Sequence, residues 1–492
     1  MPVPSKPGRG ATIGAMFILL LFALSFGGFG MAAFLKGLRE VTSGGSSQYW
    51  GMVMIGLVFS IIGFAFLYAL IKGPGTAKEI DRRRAETPHQ PWLWRDDWAQ
   101  GRVVSQTKSS MTSAWIWAVL WNMLSVPCLL LVPREQLFSV RMLGVLVFPA
   151  FGVGFLIWAI RETLRWMEFG KTYFELSTVP CVPGRELRGT IQTRFPHFPD
   201  HGIRLKLSCV NHIVGGSGDD RSSEDRIISR MEKAIPPSEI YPGPSGAAIP
   251  VSFHLPVDVP ETDGSNSSNS IRWLLEADAD VPGVNYKDIF ELPVFRTKDT
   301  PSAQEAEDFA KSEPASERPA KLSIRVSMPA DGGTEFYFPA GRNMVFAVGT
   351  TIFAFLWAGA IWFMAKHGAP IFFTVIFSLF WPLVGYMSLE FWLGTSRVTI
   401  GNGKLRLQSG WLGGGRVQEI PFTDVLQIKT KINGQTGGAS GTPYYDIEMR
   451  RRNGPPITLG KTVRDPQEAN WLVSEMTRLA GVKARPAVVA QP

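Results

Sequence analysis

Six long apolar runs, set in three close pairs, constrain this 492-residue chain more than any other feature. They are Ala11–Leu35, Trp50–Ile71, Met111–Val132, Met142–Ile160, Asn343–Ala365 and Pro370–Leu389, and none contains Asp, Glu, Lys or Arg. About 20 apolar residues in a helix cross a bilayer core of about 30 Å. The expectation is a membrane α-helical core of six transmembrane helices in three hairpins. Tyr49, Trp50, Trp115, Trp166 and Trp392 near the run ends fit interfacial anchoring. Polar stretches of different character separate the pairs.

Charge sets the expected topology. The intra-pair loops hold Lys36, Arg39, Arg134, Arg141 and Lys366. The opposite side holds more: Lys6 and Arg9, then Lys72, Lys78, Arg82, Arg83, Arg84, Arg95, Arg102 and Lys108, then Arg161, Arg165 and Lys171. The positive-inside bias places both termini and both large polar regions in the cytoplasm. The net charge of +8 then reads as juxtamembrane charge attracted to anionic lipid, with no nucleic acid as partner. The first run reads as an uncleaved anchor. Cys128, Cys181 and Cys209 offer no disulfide framework, and cytoplasmic placement predicts reduced thiols.

The segments divide as follows: 1–72, first transmembrane hairpin; 73–110, a basic, Trp-rich juxtamembrane loop; 111–166, second hairpin; 167–298, a β-sandwich; 299–320, an acidic flexible linker; 321–341, a β-hairpin; 342–394, third transmembrane hairpin; 395–482, a second β-domain; 483–492, a disordered tail. In the Trp-rich loop, Trp92, Trp94, Arg95 and Trp98 are candidates for a lipid interface, because indole rings favour the headgroup zone. Short β-rich runs predict strands at Thr172–Ser177, Leu187–Thr193, Ile203–Val210, Ala248–Leu255, Ile271–Ala277 and Ile289–Phe295. Gly215–Gly246 interrupts them, and Ile227, Ile228 and Met231 suggest a short helix there. Asp299, Glu305, Glu307, Asp308, Glu313 and Glu317 give the linker a composition that buries no core.

In the second β-domain, strands are predicted at Arg397–Ile400, Lys404–Gln408, Arg416–Ile420, Val425–Thr430, Tyr444–Arg450 and Ile457–Lys461. A closing helix has Asp465 as cap, Pro466 at its first position and Glu468 completing a capping box. Its buried stripe is Ala469, Leu472, Met476 and Leu479. Arg450, Arg451 and Arg452 are further candidates for contact with anionic lipid.

Val182–Gly189, Ile249–Pro256 and the set Ile271–Ala277, Gly283–Tyr286 and Phe290–Phe295 resemble the opening, central and closing strands of arrestin-like sandwiches. Arrestins have two such sandwiches, and one is visible here. The resemblance implies protein binding without chemistry. The six strands and final helix around Ile420–Val425 are similar to bacterial pleckstrin-homology-like (PH-like) β-barrels with a C-terminal helix, a fold with seven strands. The whole layout resembles bacterial multispanning membrane proteins, which implies an inner-membrane location and little else.

Catalytic signatures are missing: there is no Gly-x-Ser-x-Gly, His-Glu-x-x-His or Gly-x-x-x-x-Gly-Lys-Ser/Thr. His197, Asp200, His201, Cys209 and His212 are the densest metal-like cluster, but Pro196 and Pro199 argue for a turn, and polar strand ends explain these residues. Gly410–Arg416 is glycine-rich but lies between strands, so it reads as a hairpin turn. No cofactor is implied. Asn122 and Glu390 are the candidate intramembrane polar groups, and Gly28/Ala32, Gly56/Ser60 and Ala150/Gly154 are helix-packing pairs. The expected function is a non-catalytic inner-membrane scaffold or adaptor that recruits protein, through the sandwich, or anionic lipid. The alternative is a small-solute transporter or membrane enzyme using the helix core.

Overall fold

The computed structural model describes the chain apart from residues 1–8, 45–48, 131–142, 196–197, 216–221, 265, 267, 303–304, 306–317, 330–331, 367–370 and 482–492. Most of the acidic linker and the C-terminal tail lie outside the described residues. The rest divides into two compact units. One is Met1–Ser222, Met231–Pro256 and Pro260–Thr300; the other is Ser223–Arg230, Val257–Val259 and Pro301–Pro492.

In the first unit, helix α1 (Arg9–Thr42) packs along α2 (Tyr49–Glu86). The contact is close because glycine lines it. A Cβ on Gly30 would stand 2.4 Å from the Ser60 nitrogen, one on Gly56 2.3 Å from the Phe34 nitrogen, and one on Gly63 2.3 Å from the Gly27 nitrogen. Of the expected packing pairs, Gly56/Ser60 lies in this seam, whereas Gly28 and Gly154 face open space. After the short helix α3 (Asp96–Ala99), α4 (Thr107–Leu130) pairs with α5 (Leu143–Phe169) over Ala114, Ala118 and Ala159.

The six-span architecture requires correction. Among the described residues two helices, Met344–Lys366 and Thr374–Leu393, are long and apolar enough to cross a membrane. The apolar run at 50–71 is part of a 38-residue helix that continues through Arg82, Arg83 and Arg84. The run at 142–160 likewise continues through Arg161, Glu162, Arg165 and Glu168. Composition marked apolar stretches, but the helices do not stop where those stretches stop.

The sandwich has one sheet in the order β1–β2–β3–β7–β6 and another in the order β5–β4–β8–β9. The strands are β1 (Arg102–Val104), β2 (Tyr173–Leu176), β3 (Glu186–Thr193), β4 (Ile203–Gly215), β5 (Ser222–Ile235), β6 (Tyr241–Gly243), β7 (Gly246–His254), β8 (Asn269–Ala279) and β9 (Tyr286–Leu292). Leu187 and Ile191 in one sheet and Trp273, Leu275 and Phe290 in the other are buried, and the Phe174 and Phe290 rings lie 6.1 Å apart. The stretch read as a short helix is β5: Ile227 and Ile228 are neighbours of opposite burial, as an extended chain requires.

In the second unit, the hairpin expected at 321–341 is not separate. β10 (Arg325–Ser327) and β11 (Thr334–Phe338) join β12 (Gly394–Gly401), β13 (Lys404–Trp411) and β14 (Val417–Pro421) in one sheet. β15 (Val425–Thr436), β16 (Thr442–Arg451) and β17 (Ile457–Val463) form a second sheet. Sequence-adjacent β11 and β12 pair antiparallel, from Thr334↔Ile400 to Phe338↔Ser396. What joins them is a helix hairpin, α6 (Met344–Lys366) and α7 (Ile371–Leu393). Closing the core is α8 (Pro466–Leu479), where Asp465 accepts from the Gln467 amide at 2.9 Å. The capping-box role expected of Glu468 is replaced: its buried carboxylate accepts from the Ser323 amide at 2.6 Å and its hydroxyl at 3.0 Å.

Gly56→Leu is expected to lower stability by about 1–3 kcal/mol or more, as overpacking does where backbone is the neighbour. Denaturation of the full chain in mild detergent checks this, with Gly28→Leu expected to leave the midpoint in place.

Candidate functional site

The foot of the α6–α7 hairpin gathers more side-chain chemistry than its apolar flanks do. Gly341 adopts a positive φ of 65° and turns the chain from β11 into α6 beside Trp392. Arg342 follows, its guanidinium 5.0 Å from the Phe338 ring centroid. Burial pushes the Arg342 pKa down to about 10, against the pull of Asp446 and Glu468. Asn343 donates to the Thr462 carbonyl at 3.3 Å, and Thr462, at a φ of 58°, donates its amide to Asp446 Oδ1 at 2.7 Å. Asp446 Oδ2 accepts from Asn433 at 2.7 Å. The Phe346 and Tyr444 rings meet edge to face at 4.8 Å.

At the other leg, Glu390 accepts from Trp411 Nε1 at 2.8 Å and pairs with Lys461 Nζ at 3.1 Å. The residue singled out as an intramembrane polar group therefore ties α7 to β13 and β17. Within the hairpin, Trp392 Nε1 donates to Thr351 Oγ1 at 2.9 Å, and Thr351 meets Ser388 Oγ at 2.8 Å. Trp357 and Trp381 each donate to a carbonyl of the opposite helix, Phe377 and Ala354. Asn122 behaves likewise in the first unit. Its amide donates to the Ala118 carbonyl on its own helix at 2.8 Å and to Gly152 on α5 at 2.9 Å, while a Cβ on Gly152 would strike its Oδ1.

For Trp98 the lipid-interface reading of the Trp-rich segment is corrected by packing. Trp98 is buried and donates to the Glu291 carbonyl at 2.9 Å. Its ring and that of Trp92 lie 6.0 and 5.7 Å from the Phe295 ring. Arg95 sits 4.2 Å over the Trp98 ring and pairs with Glu291 at 2.9 Å and Asp97 at 2.8 Å. Trp94 donates to the Thr87 carbonyl at 3.0 Å and carries Arg84 at 5.1 Å. Trp92, Arg95 and Trp98 thus bind the flank of the sandwich, while Trp94 binds back to the end of α2, and Trp98 keeps no face for lipid. Arg450 and Arg451 end β16 on opposite faces of the strand, Arg452 follows it with its amide on the Asp424 carbonyl at 2.8 Å, and Arg451 Nε donates to the Pro455 carbonyl of its own turn at 3.2 Å.

One buried carboxylate escaped the sequence reading. Asp288 on β9 accepts from the Ser105, Thr107 and Thr172 hydroxyls, so it joins the start of α4 and the entry to β2 to the sandwich. Burial raises its pKa, opposed by these hydrogen bonds, and burial also drives up that of neighbouring Tyr286. Nothing in the local sequence distinguishes Asp288 from a surface strand residue.

Of the metal-like cluster, His197 lies outside the described residues, Asp200 and His201 are exposed, and Cys209 is buried in β4. Among the described residues no group of three or more His, Cys, Asp or Glu is placed to hold a metal ion. Cys181 and Cys209 are free and buried; burial pushes the Cys181 thiol up to about 12 and raises that of Cys209 as well.

No family model matches the chain, and no curated protein matches it. Among solved structures, the crystal structure of Spo0M, a sporulation control protein from Bacillus subtilis, is similar over 51% of this chain and 88% of its own. The identity is 14% and the TM-score 0.19, too loose a likeness to carry an argument.

The unfolded Asp288 carboxyl titrates near 3.8 and the folded one higher. Between those values the folded protein holds a proton that the unfolded chain has lost. The stability this carboxyl adds is thus full below about pH 3.8 and is lost as pH rises through the raised value. Asp288→Asn is expected to flatten the fall of stability with pH in that window, measured by denaturant unfolding. Asp288→Ala, which leaves three hydroxyls without their acceptor, is expected to cost about 2–4 kcal/mol and to speed hydrogen exchange at Arg102–Thr107.

Proposed function

We propose that the chain is a non-catalytic scaffold or adaptor held at a bacterial inner membrane by the α6–α7 hairpin, with its β-domains on the cytoplasmic side. The observation that carries the reading is the β11–β12 ladder. It fixes both ends of a long apolar hairpin at one place, while few residues of that hairpin are buried. Twenty-three helical residues span about 35 Å at about 1.5 Å each, enough for a bilayer core. A pinned hairpin enters and leaves on the same side, so the β-domain stays on that side. Arg342, Arg397 and Lys461 flank the foot, against Lys366 at the far turn, which favours a cytoplasmic foot.

We read the sandwich as arrestin-like and the last domain as PH-like. The stretches that resemble arrestin strands include β3 and β7, which pair with each other, and β8 and β9, which form an antiparallel hairpin. The strand missing from the six after α7 has a counterpart in β11, before the helices. Recruitment of a protein partner uses sandwich edges such as β6, where Tyr241 is exposed. That Asn122 and Glu390 both serve as packing ties supports a scaffold over a transport path.

Purification from native membranes in mild detergent, with mass spectrometry of what co-elutes, tests the reading. A stoichiometric partner lost on deleting residues 171–298 is expected; a chain that elutes alone with a retained small molecule would contradict it. Leu356→Arg, at an exposed mid-hairpin position, opposes insertion by about 2.5–3.5 kcal/mol. The fraction of chain that resists alkaline carbonate extraction is expected to fall.

A further inference from the structure

We propose that the glycine-rich turn after β13, Trp411 to Gly415, is a second membrane contact that enters the acyl–headgroup boundary beside the foot of the hairpin. The inference rests on the reading that α6–α7 lies in a bilayer. Leu412 is 72% exposed and adopts a φ of 50°, a conformation that side-chain-bearing residues rarely take. A turn made only to reverse a strand would favour Gly or Asn there. This one presents a leucine.

The turn is held rigidly, and it is held to α7. The Leu412 amide donates to the Leu393 carbonyl at 2.9 Å, and the Gly413 amide to Thr395 Oγ1 at 2.9 Å. Gly414 closes onto the Trp411 carbonyl, and Gln408 binds the carbonyls of Gly413 and Gly415. A Cβ on Gly415 would stand 1.8 Å from the Ser409 carbonyl oxygen, so glycine is required. With these backbone groups occupied, the turn offers the outside its apolar side chains.

Direction along the helix identifies the partner. Trp411 bonds to Glu390 and its ring lies 5.7 Å from that of Tyr386. Those residues precede Leu393 by three and seven positions, so the Trp411 ring lies alongside the last two turns of α7. The turn leans toward the apolar hairpin, reaching about 10 Å along it. Trp and Tyr at that depth, with exposed Arg416 immediately after the turn, match a headgroup layer with apolar chains beneath. A lipid surface is the occupant this chemistry selects.

The test uses the full chain with Cys128→Ser, reconstituted in phosphatidylcholine–phosphatidylglycerol vesicles. Single cysteines at Leu412→Cys, Leu356→Cys or Asn402→Cys carry an environment-sensitive fluorophore; Cys181 and Cys209 are buried. Lipids brominated near the headgroup or deep in the chain are the quenchers. Expected is loss of fluorescence at 412 with shallow bromine, at 356 with deep bromine, and none at 402, which lies at the far end of β12. Quenching at 356 with none at 412 overturns the inference and leaves the hairpin reading standing. No quenching at 356 overturns the hairpin reading and, with it, this inference. A Leu412→Ser chain that keeps the same depth at 356 while losing shallow quenching from a fluorophore on Gly413→Cys would confirm that the leucine side chain makes the contact.

Discussion

The β11–β12 ladder is the constraint on which the second unit depends. Five registered pairs, from Thr334↔Ile400 to Phe338↔Ser396, close a loop that contains two whole helices. A loop so long is costly in entropy to close, though the cost grows only slowly with length. The closure is secured by inward-facing Phe336, Phe338, Val398 and Ile400, all buried in one core with α8. Gly460 lies so near the Phe338 ring that any Cβ would meet it at 2.3 Å. The helices thus leave the β-domain from a fixed base, which gives the foot of the hairpin a defined geometry.

Helix pairs in this chain are joined by polar groups placed where apolar surface cannot discriminate one helix face from another. Asn122, Trp121 and Trp115 reach from α4 to acceptors on α5, and Trp357, Trp381 and Trp392 do the same within α6–α7. Intramolecular hydrogen bonds contribute a net of about 0.5–1.5 kcal/mol each. Their larger effect is on register, since each fixes one donor to one acceptor. Glycine does the corresponding work between α1 and α2 through close backbone approach.

Local pattern was legible in the sequence and long-range pairing was not. Alternation over Leu187–Thr193 and Ile203–Val210 marks strands, and strands lie there, because side-chain burial on a strand has a period of two. The caps of α8 were equally visible in Asp465 and Pro466. Apolar runs carry no comparable stop signal, so the sequence expectation divided the chain into six spans where α2 and α5 run on through arginines. Trp92 and Trp98 have the composition of a lipid contact, yet Phe295 and Glu291, some two hundred residues on, claim them. Asp288 and Glu390 show the same limit: their partners are Ser105, Thr107 and Thr172 in one case and Trp411 and Lys461 in the other.

On the proposed reading, one apolar hairpin crosses a bilayer while the sheet at its foot stays on the cytoplasmic face. Single cysteines at Lys366→Cys, in the last turn of α6, and Asn402→Cys, in the β12–β13 turn, test it most directly. In sealed native-membrane vesicles of one orientation, a membrane-impermeant maleimide is expected to label 402 from the cytoplasmic face and 366 from the opposite face alone. Labelling of both positions from the same face would contradict the account.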